Sequence, residues 1–357
     1  MTPPPPGRLT SLDQFRGYTV AGMLLVNFLG GYAAVPAVLK HHNTYCSYAD
    51  TIMPQFFFAV GFAYRLTFLK RLAAVGAAGA SAALLKRCAG LALLSLALYH
   101  LDGGVKSWAE LQALGVCGFF RTAFEREPFQ TLLHIALASV WVLPVIGAGV
   151  WARAAFMAGS GALHLALSSW FYFAWVWARP GIDGGPLGFL TWTIPLLVGS
   201  LAYDAVAHCG VGKHVVARLC GWSAVLMLAG YALSCLGGAP AAPPFTAPEA
   251  AVNLWTMSQR TGSVSYLTFS AGFSLLVYTL FLVACDRPGG VAVGAFRAFG
   301  RNALAAYVLH SIVAGAVKPY APKDAPGWYV AAVFGLYFLV NYLFVRGLET
   351  DGVYIKL

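Results

Sequence analysis

Three stretches of the chain concentrate side chains able to move a proton or hold a polar ligand. In KHHNTYCSYADTIMPQFFF (40–58), His41 and His42 precede Asp50. A histidine with its ordinary pKa near ~6.5 takes and returns a proton at neutral pH. A nearby carboxylate would orient the ring or bind an acceptor. His42, Cys46 and Asp50 recur every four residues, so on a continuous helix they would share one face. They do not make a metal site, because at 1.5 Å per residue the outer two would stand roughly 12 Å apart.

The second stretch is RLTSLDQFRGYTVAGMLLVNFLGG (8–31). Ser11 and Gln14 have capping-box spacing, Asp13 falls in the first turn, and Arg16 is placed to pair with it. Asn27 is expected deep in a span, where a carboxamide must be hydrogen-bonded and so faces the bundle or a wet cavity. The third stretch, GRNALAAYVLHSIV (300–313), puts Asn302, Tyr307 and His310 in an apolar run. Positions 303, 307 and 310 share a helical face flanked by Asn302, the pattern of a cavity or a polar helix contact. His134 and His164 stand alone in spans, and Ser263, Ser265, Tyr266 and Thr268 form a short polar patch. Both features are expected to be helix-to-helix hydrogen bonds.

The elements that must position these groups follow from composition. Of 357 residues, 59% are apolar and only 10% charged, with a mean hydropathy of +0.70. An ordinary soluble domain carries about 25% charged residues. No single soluble core would bury this much apolar side chain. The composition excludes a cytosolic enzyme, a disordered chain and a nucleic-acid partner. The apolar residues run continuously and do not alternate, which disfavours a transmembrane barrel.

The expected fold is therefore all-α, a polytopic transmembrane bundle with the lipid bilayer as its solvent. A span needs about 20 apolar residues, and ten segments qualify: 17–38, 51–69, 83–101, 129–150, 154–177, 187–207, 215–236, 263–284, 298–317 and 327–346. Residues 104–128, with Trp108, Phe119 and Phe120, read as an interfacial or re-entrant piece. The expected organisation is a cytoplasmic segment 1–16, one membrane domain 17–346 and a cytoplasmic tail 347–357.

The net charge of +10 reports orientation first. With the N-terminus inside, 14 of the 23 Lys and Arg residues fall on the inner side and 8 on the outer side, with Arg65 inside a span. Both termini are then cytoplasmic. MTPPPPGRLTS lacks the features of a cleaved signal peptide. The seven cysteines are scattered singly, without zinc spacing or a disulfide framework. No phosphate-loop, dinucleotide, zinc-protease or serine-hydrolase motif is present.

Taken together, RLTSLDQFRG with VNFLGG, the histidine loop running into ADTIMPQFFF, and GRNALAAYVLH resemble the heparan-α-glucosaminide N-acetyltransferase family and its bacterial relatives, in the same order along the chain. The resemblance implies a membrane-bound acyltransferase of the bacterial inner membrane. It would carry acetyl from cytosolic acetyl-CoA to an amine or hydroxyl of an amino sugar or envelope glycan on the far side. No metal is implied. The family's loop histidine, paired with an aromatic residue three positions later, maps to His42 with Tyr45, and His41 is the fallback. Asp13, Arg16, Asn27, Asp50, Asn302 and His310 match motif positions. The chain departs from the family in PFQTLLHIA (128–136), with His134 where an arginine is expected, and in GGPLGFLT (184–191), which lacks a glutamate. The family's long luminal insertion is also absent, which argues against heparan itself as acceptor.

On this reading Arg65, Lys70, Arg71, Lys86 and Arg87 would hold the CoA phosphates, although positive-inside bias accounts for that cluster equally well. Asn27 and Asn302 would line the route of the thioester, and Asn27 or Tyr307 would donate to the oxyanion. The histidine would act as general base or carry the acetyl group covalently. A homodimer is compatible with this arrangement. The competing classes are a proton-coupled transporter using intramembrane histidines and a non-catalytic scaffold.

Overall fold

The computed structural model describes residues 9–99, 105, 107–125, 129–179, 181, 183–210, 212–238, 241–248, 251–287 and 289–355. Arg8, Lys106, Arg126, Lys356 and the polar run 100–104 therefore lie outside the described residues. Among the described residues the chain is all-helical, without strands. The helices are α1 (Thr10–Leu29), α2 (Tyr48–Tyr99), α3 (Trp108–Glu125), α4 (Thr131–Trp141), α5 (Leu143–Ile146), α6 (Val150–Leu167) and α7 (Phe173–Trp177). They continue with α8 (Phe189–Cys209), α9 (Lys213–Ser234), α10 (Val264–Cys285), α11 (Gly294–Arg301), α12 (Ala303–Val317) and α13 (Gly327–Thr350).

Five of these helical stretches are long and apolar enough to cross a membrane: Tyr48–Tyr99, Phe189–His208, Lys213–Gly237, Val264–Cys285 and Gly327–Thr350. The distribution of side chains is that of helices solvated by hydrocarbon. Trp151 and Trp170 point outward at 85% and 81% exposure, while Asp50, Arg153, Thr191 and Ser200 are fully buried. With no water to satisfy them, polar groups belong on the inside.

Helices occupy all ten expected segments, with three revealing differences. The second and third segments are one element, α2, whose helical geometry breaks at Gly76 (φ 74°). That residue divides it into arms 48–75 and 77–99. The first helix begins at Thr10 and not at residue 17, and it ends at Leu29. Its start is fixed from outside: the Ser11 amide donates to Asp286 at 3.0 Å, and the Ser11 hydroxyl also donates to that carboxylate. The Gln14 carboxamide donates to the Val293 carbonyl and accepts from the Val293 amide. The expected capping box is thus replaced by a carboxylate from the end of α10, which serves the same orphan amides and dipole.

The third difference lies in the ninth segment, which is split at Asn302 (φ −120°, ψ 42°) into α11 and α12. The buried Asn302 side chain donates to the Val353 carbonyl at 3.1 Å and accepts from the Ile355 amide at 3.2 Å. A break in the helix lets this carboxamide tie down the C-terminal residues.

The scaffold is set by close helix crossings. At the α2–α8 crossing, Gly61 lies against the Leu196 carbonyl and Gly199 against the Phe58 carbonyl, so any Cβ at either site would collide with backbone. Small residues of this kind let helices approach closely where lipid supplies no hydrophobic drive. Residues 108–125 form the helix α3, broken at Gly115, with Trp108 and Val116 exposed.

Candidate functional site

The polar residues gather at two places. The first lies where the loop 30–47 enters α2. The buried Asp50 carboxylate accepts from the Ser47 amide and hydroxyl, each at 2.9 Å, and from the His42 amide at 3.4 Å. Its remaining partner is His41, whose Nδ1 is 2.9 Å from Asp50 Oδ1. Asp50 thereby holds the proton on Nδ1 and leaves Nε2 as the basic nitrogen, the arrangement by which a carboxylate fixes a histidine tautomer.

The two adjacent histidines therefore have different environments. His41 bonds Asp50 and keeps its side chain 40% exposed. His42 places Nε2 at 2.8 Å from the Ala37 carbonyl and stacks its ring on Tyr45 at 4.2 Å. The spacing of three that links His42 to Tyr45 is a packing contact. His42, Cys46 and Asp50 do not share a helical face, because α2 starts only at Tyr48.

Two further loops close on His41, bringing Asp183 and Gln259. Gln259 donates through Nε2 to Asp183 Oδ1 at 2.8 Å, and both residues act electrostatically on the His41 ring in the sense that favours its protonated form. Burial alone would disfavour a charged His41. The Asp50 hydrogen bond and charge, with Asp183 and Gln259 behind them, outweigh it and raise the His41 pKa above its ordinary value.

Local sequence explains how these loops meet. Gly184 and Gly262 both take positive φ and pack backbone to backbone, which only glycine allows without strain. The Gly184 amide donates to the Arg260 carbonyl at 3.1 Å. A π-helical turn at Ser168–Tyr172 delivers the Tyr172 hydroxyl, which donates to the Gly184 carbonyl at 2.5 Å and accepts from the Leu187 amide at 2.8 Å. Ser263 caps α10 by accepting from the Tyr266 amide, and the Tyr266 hydroxyl donates to the Asp50 carbonyl at 2.5 Å. Within the polar patch 263–268, Ser263 serves as a cap, and Tyr266 makes the expected hydrogen bond between helices, from α10 to α2.

The second place is a cavity of about 540 Å³ bounded by α1, both arms of α2, α4, α12 and the C-terminal residues. That volume is typical of a small-molecule or cofactor site. Arg16, Arg71, Arg87 and Arg301 line it, and no acidic side chain does among the described residues. Its wall is otherwise largely apolar, and Thr131 and Tyr307 contribute hydroxyls.

The two places are joined by a short polar seam. The Thr131 hydroxyl lies 3.7 Å from Met53 Sδ, and Gln259 Nε2 lies 3.9 Å from the same sulfur. Tyr307, at the cavity, pairs its hydroxyl with that of Tyr99 at 2.6 Å. Asp183 is within electrostatic reach of both tyrosines.

Of the expected residues, the structure brings His41 and Asp50 together at one place and Arg16 and Tyr307 at the other. Asp13 stays in the first turn of α1, against Gly300 of α11. Asn27 is not deep in a span: it is exposed in the last turn of α1, where its carbonyl accepts from Lys318 Nζ at 3.1 Å. Arg65 does not reach the cavity. It is buried against Asp204 (3.0 Å), which also pairs with Arg153, and it donates to the Ile146 carbonyl. Lys70 and Lys86 are exposed and stand outside the cavity wall. Asn302 anchors the tail, and the His310 Nδ1 is paired with the Tyr307 carbonyl. His164 meets Ser168 in its own helical run at 3.4 Å, and the His134 ring packs against those of Phe129 and Trp192. Among the described residues neither imidazole hydrogen-bonds a second helix.

Asp183 and Gln259 are the two functional candidates that spacing did not reveal. Asp183 directly precedes GGPLGFLT, and that double glycine is the available signal for a special turn. Neither a protein-family model nor a curated protein sequence matches this chain.

Proposed function

We propose that the protein is an integral membrane acyltransferase of about ten spans with both termini cytoplasmic. It passes an acyl group, acetyl in the simplest case, from CoA to an amine or hydroxyl acceptor across the bilayer. The observation that carries this reading is the pairing of an arginine-lined cavity with a carboxylate-held histidine, with Met53 Sδ lying between the Thr131 hydroxyl of the cavity and the Gln259 amide. Arginines suit the phosphates of CoA, and the apolar remainder of the cavity suits the pantetheine arm.

His41 Nε2 removes the proton from the acceptor as its nitrogen or oxygen attacks the thioester carbonyl carbon. The carbon–sulfur bond then breaks, and the departing thiolate takes the proton from the imidazolium to leave as free CoA. General-base help of this kind is typically worth ~10²–10⁴-fold. Asp50 stabilises the transient imidazolium, and the charge of Asp183 adds to that stabilisation. The Tyr307 hydroxyl is the oxyanion donor at the cavity. The family resemblance points to an amino sugar or envelope glycan as acceptor and to the bacterial inner membrane as the location.

The test is transfer from radiolabelled acetyl-CoA to glucosamine and to isolated envelope glycans by purified protein. Labelled product that disappears in His41→Ala supports the proposal. Solute movement in liposomes with no dependence on CoA would instead assign the histidines to transport. Capture of a stable labelled His41 adduct would replace direct transfer by a covalent route.

A further inference from the structure

One wall of the arginine-lined cavity is made by the chain's C-terminal residues. After α13 the backbone turns at Gly352 (φ 70°), and the Val353 amide returns to the Leu348 carbonyl at 2.8 Å. Val353 and Ile355 are then held by the two ends of the Asn302 carboxamide. These bonds use only backbone atoms of the strap, which carries the side chains of Tyr354 and Ile355. Both line the cavity, together with Arg16 and Arg301. Arg301 is the residue beside the anchor, and Glu349 at the end of α13 holds it at 3.2 Å.

A buried carboxamide spent on an extended strap, next to an arginine held in place by Glu349, builds a defined surface. It presents one flat aromatic ring beside a concentration of positive charge. That combination recognises a phosphorylated purine: guanidinium groups take the phosphates, and an aromatic face stacks on the base.

We infer that Tyr354, carried on the strap 352–355 and positioned by Asn302, is a binding residue for the adenine end of the acyl-CoA. The inference rests on the cavity being the acyl-CoA site, as proposed above. It adds which end of the ligand faces the arginines and which residue distinguishes a nucleotide thioester from one lacking the nucleotide.

The experiment is calorimetric titration of the purified full-length protein with acetyl-CoA and, separately, with S-acetylpantetheine, which lacks the nucleotide. Tyr354→Ala is expected to weaken acetyl-CoA about tenfold, in the range found when an aromatic platform under a base is truncated, and to leave S-acetylpantetheine unchanged. Tyr354→Trp should keep acetyl-CoA within about threefold of the starting affinity, since any aromatic face stacks. Gly352→Val strains the turn that aims the strap and should reproduce the selective loss. Equal binding of acetyl-CoA by Tyr354→Ala and the unaltered protein would overturn the inference. So would equal losses for both ligands, which would indicate a general structural effect. If the unaltered protein binds neither ligand, the acyl-CoA reading of the cavity fails, and the inference fails with it.

Discussion

The histidine centre and the arginine cavity are built in opposite ways. The histidine centre is assembled from loops: 40–47 supplies His41, 183–188 supplies Asp183, and 256–263 supplies Gln259. Glycines at 184 and 262 and braces from Tyr172 and Tyr266 hold those loops in register. The cavity is assembled from helix walls, with arginines projecting from α1, α2 and α11. Loops converging on a rigid scaffold place single atoms for chemistry, whereas helix walls enclose volume. Under the proposed function the contrast puts reaction in one region and binding in the other, so damage at each should have a different kinetic signature.

The largest effect is expected within the histidine pair. His41→Ala should lower kcat by ~10²–10⁴-fold, while His42→Ala should cost less than about tenfold, because His42 stacks on Tyr45 and bonds the Ala37 carbonyl. Initial rates of labelled acetyl transfer by membranes carrying each variant decide this, and equal losses would erase the distinction between the two rings.

Next in size is the pH dependence. A base must be neutral to act, and the His41 pKa is raised. The rate should therefore climb with pH through a midpoint above the ordinary ~6.5. Asp50→Asn should move that midpoint downward as well as lowering the plateau. In stability the sign is reversed. The His41–Asp50 pair stabilises the fold below about pH 6.5, and this contribution fades as pH rises through the raised folded value. A pH–rate profile whose midpoint ignores Asp50→Asn would break the assigned partnership.

At the cavity the signature should be in KM. Arg71→Ala and Arg87→Ala are each expected to raise KM for acetyl-CoA by about tenfold with little change in kcat, from the loss of one charge-assisted hydrogen bond. Both effects should shrink as ionic strength rises. A fall in kcat alone would place these arginines in the reaction and dissolve the division between the two regions.

The smallest effects compare two asparagines. Asn302→Ala removes two hydrogen bonds from a buried joint and should cost about 1–3 kcal/mol. Asn27→Ala, at an exposed helix end, should stay within about 0.5 kcal/mol. Thermal unfolding in detergent reads the difference.

How far each region could be read in the sequence follows from the same contrast. Helices fall in all ten expected segments because apolar runs are continuous and local. The histidine loop and Asp50 were legible for a similar reason, lying within nine residues in a chain where polar groups are scarce. The sequence put His42 first and His41 second, however, and only the fold shows that Asp50 holds His41. What escaped depends on partners distant in sequence. Nothing near Ser11 announces that Asp286 will cap its helix, and nothing near Asn302 announces Val353 and Ile355. Arg65 looks like a phosphate ligand until Asp204 and Arg153 are seen to enclose it. Gln259 is a lone amide in a loop and carries no periodic signal. Asp183 had one trace, the double glycine that follows it, in the stretch where the resemblance expects a glutamate.

If the two regions serve one reaction from opposite faces of a bilayer, sealed vesicles of uniform protein orientation will show it, with labelled acetyl-CoA supplied only on the arginine side and glucosamine enclosed only on the histidine side. Labelled N-acetylglucosamine is expected inside the vesicles, and none when His41 is replaced by Ala. Label appearing only when both substrates share one side, or persisting without His41, would refute transfer across the membrane by this histidine.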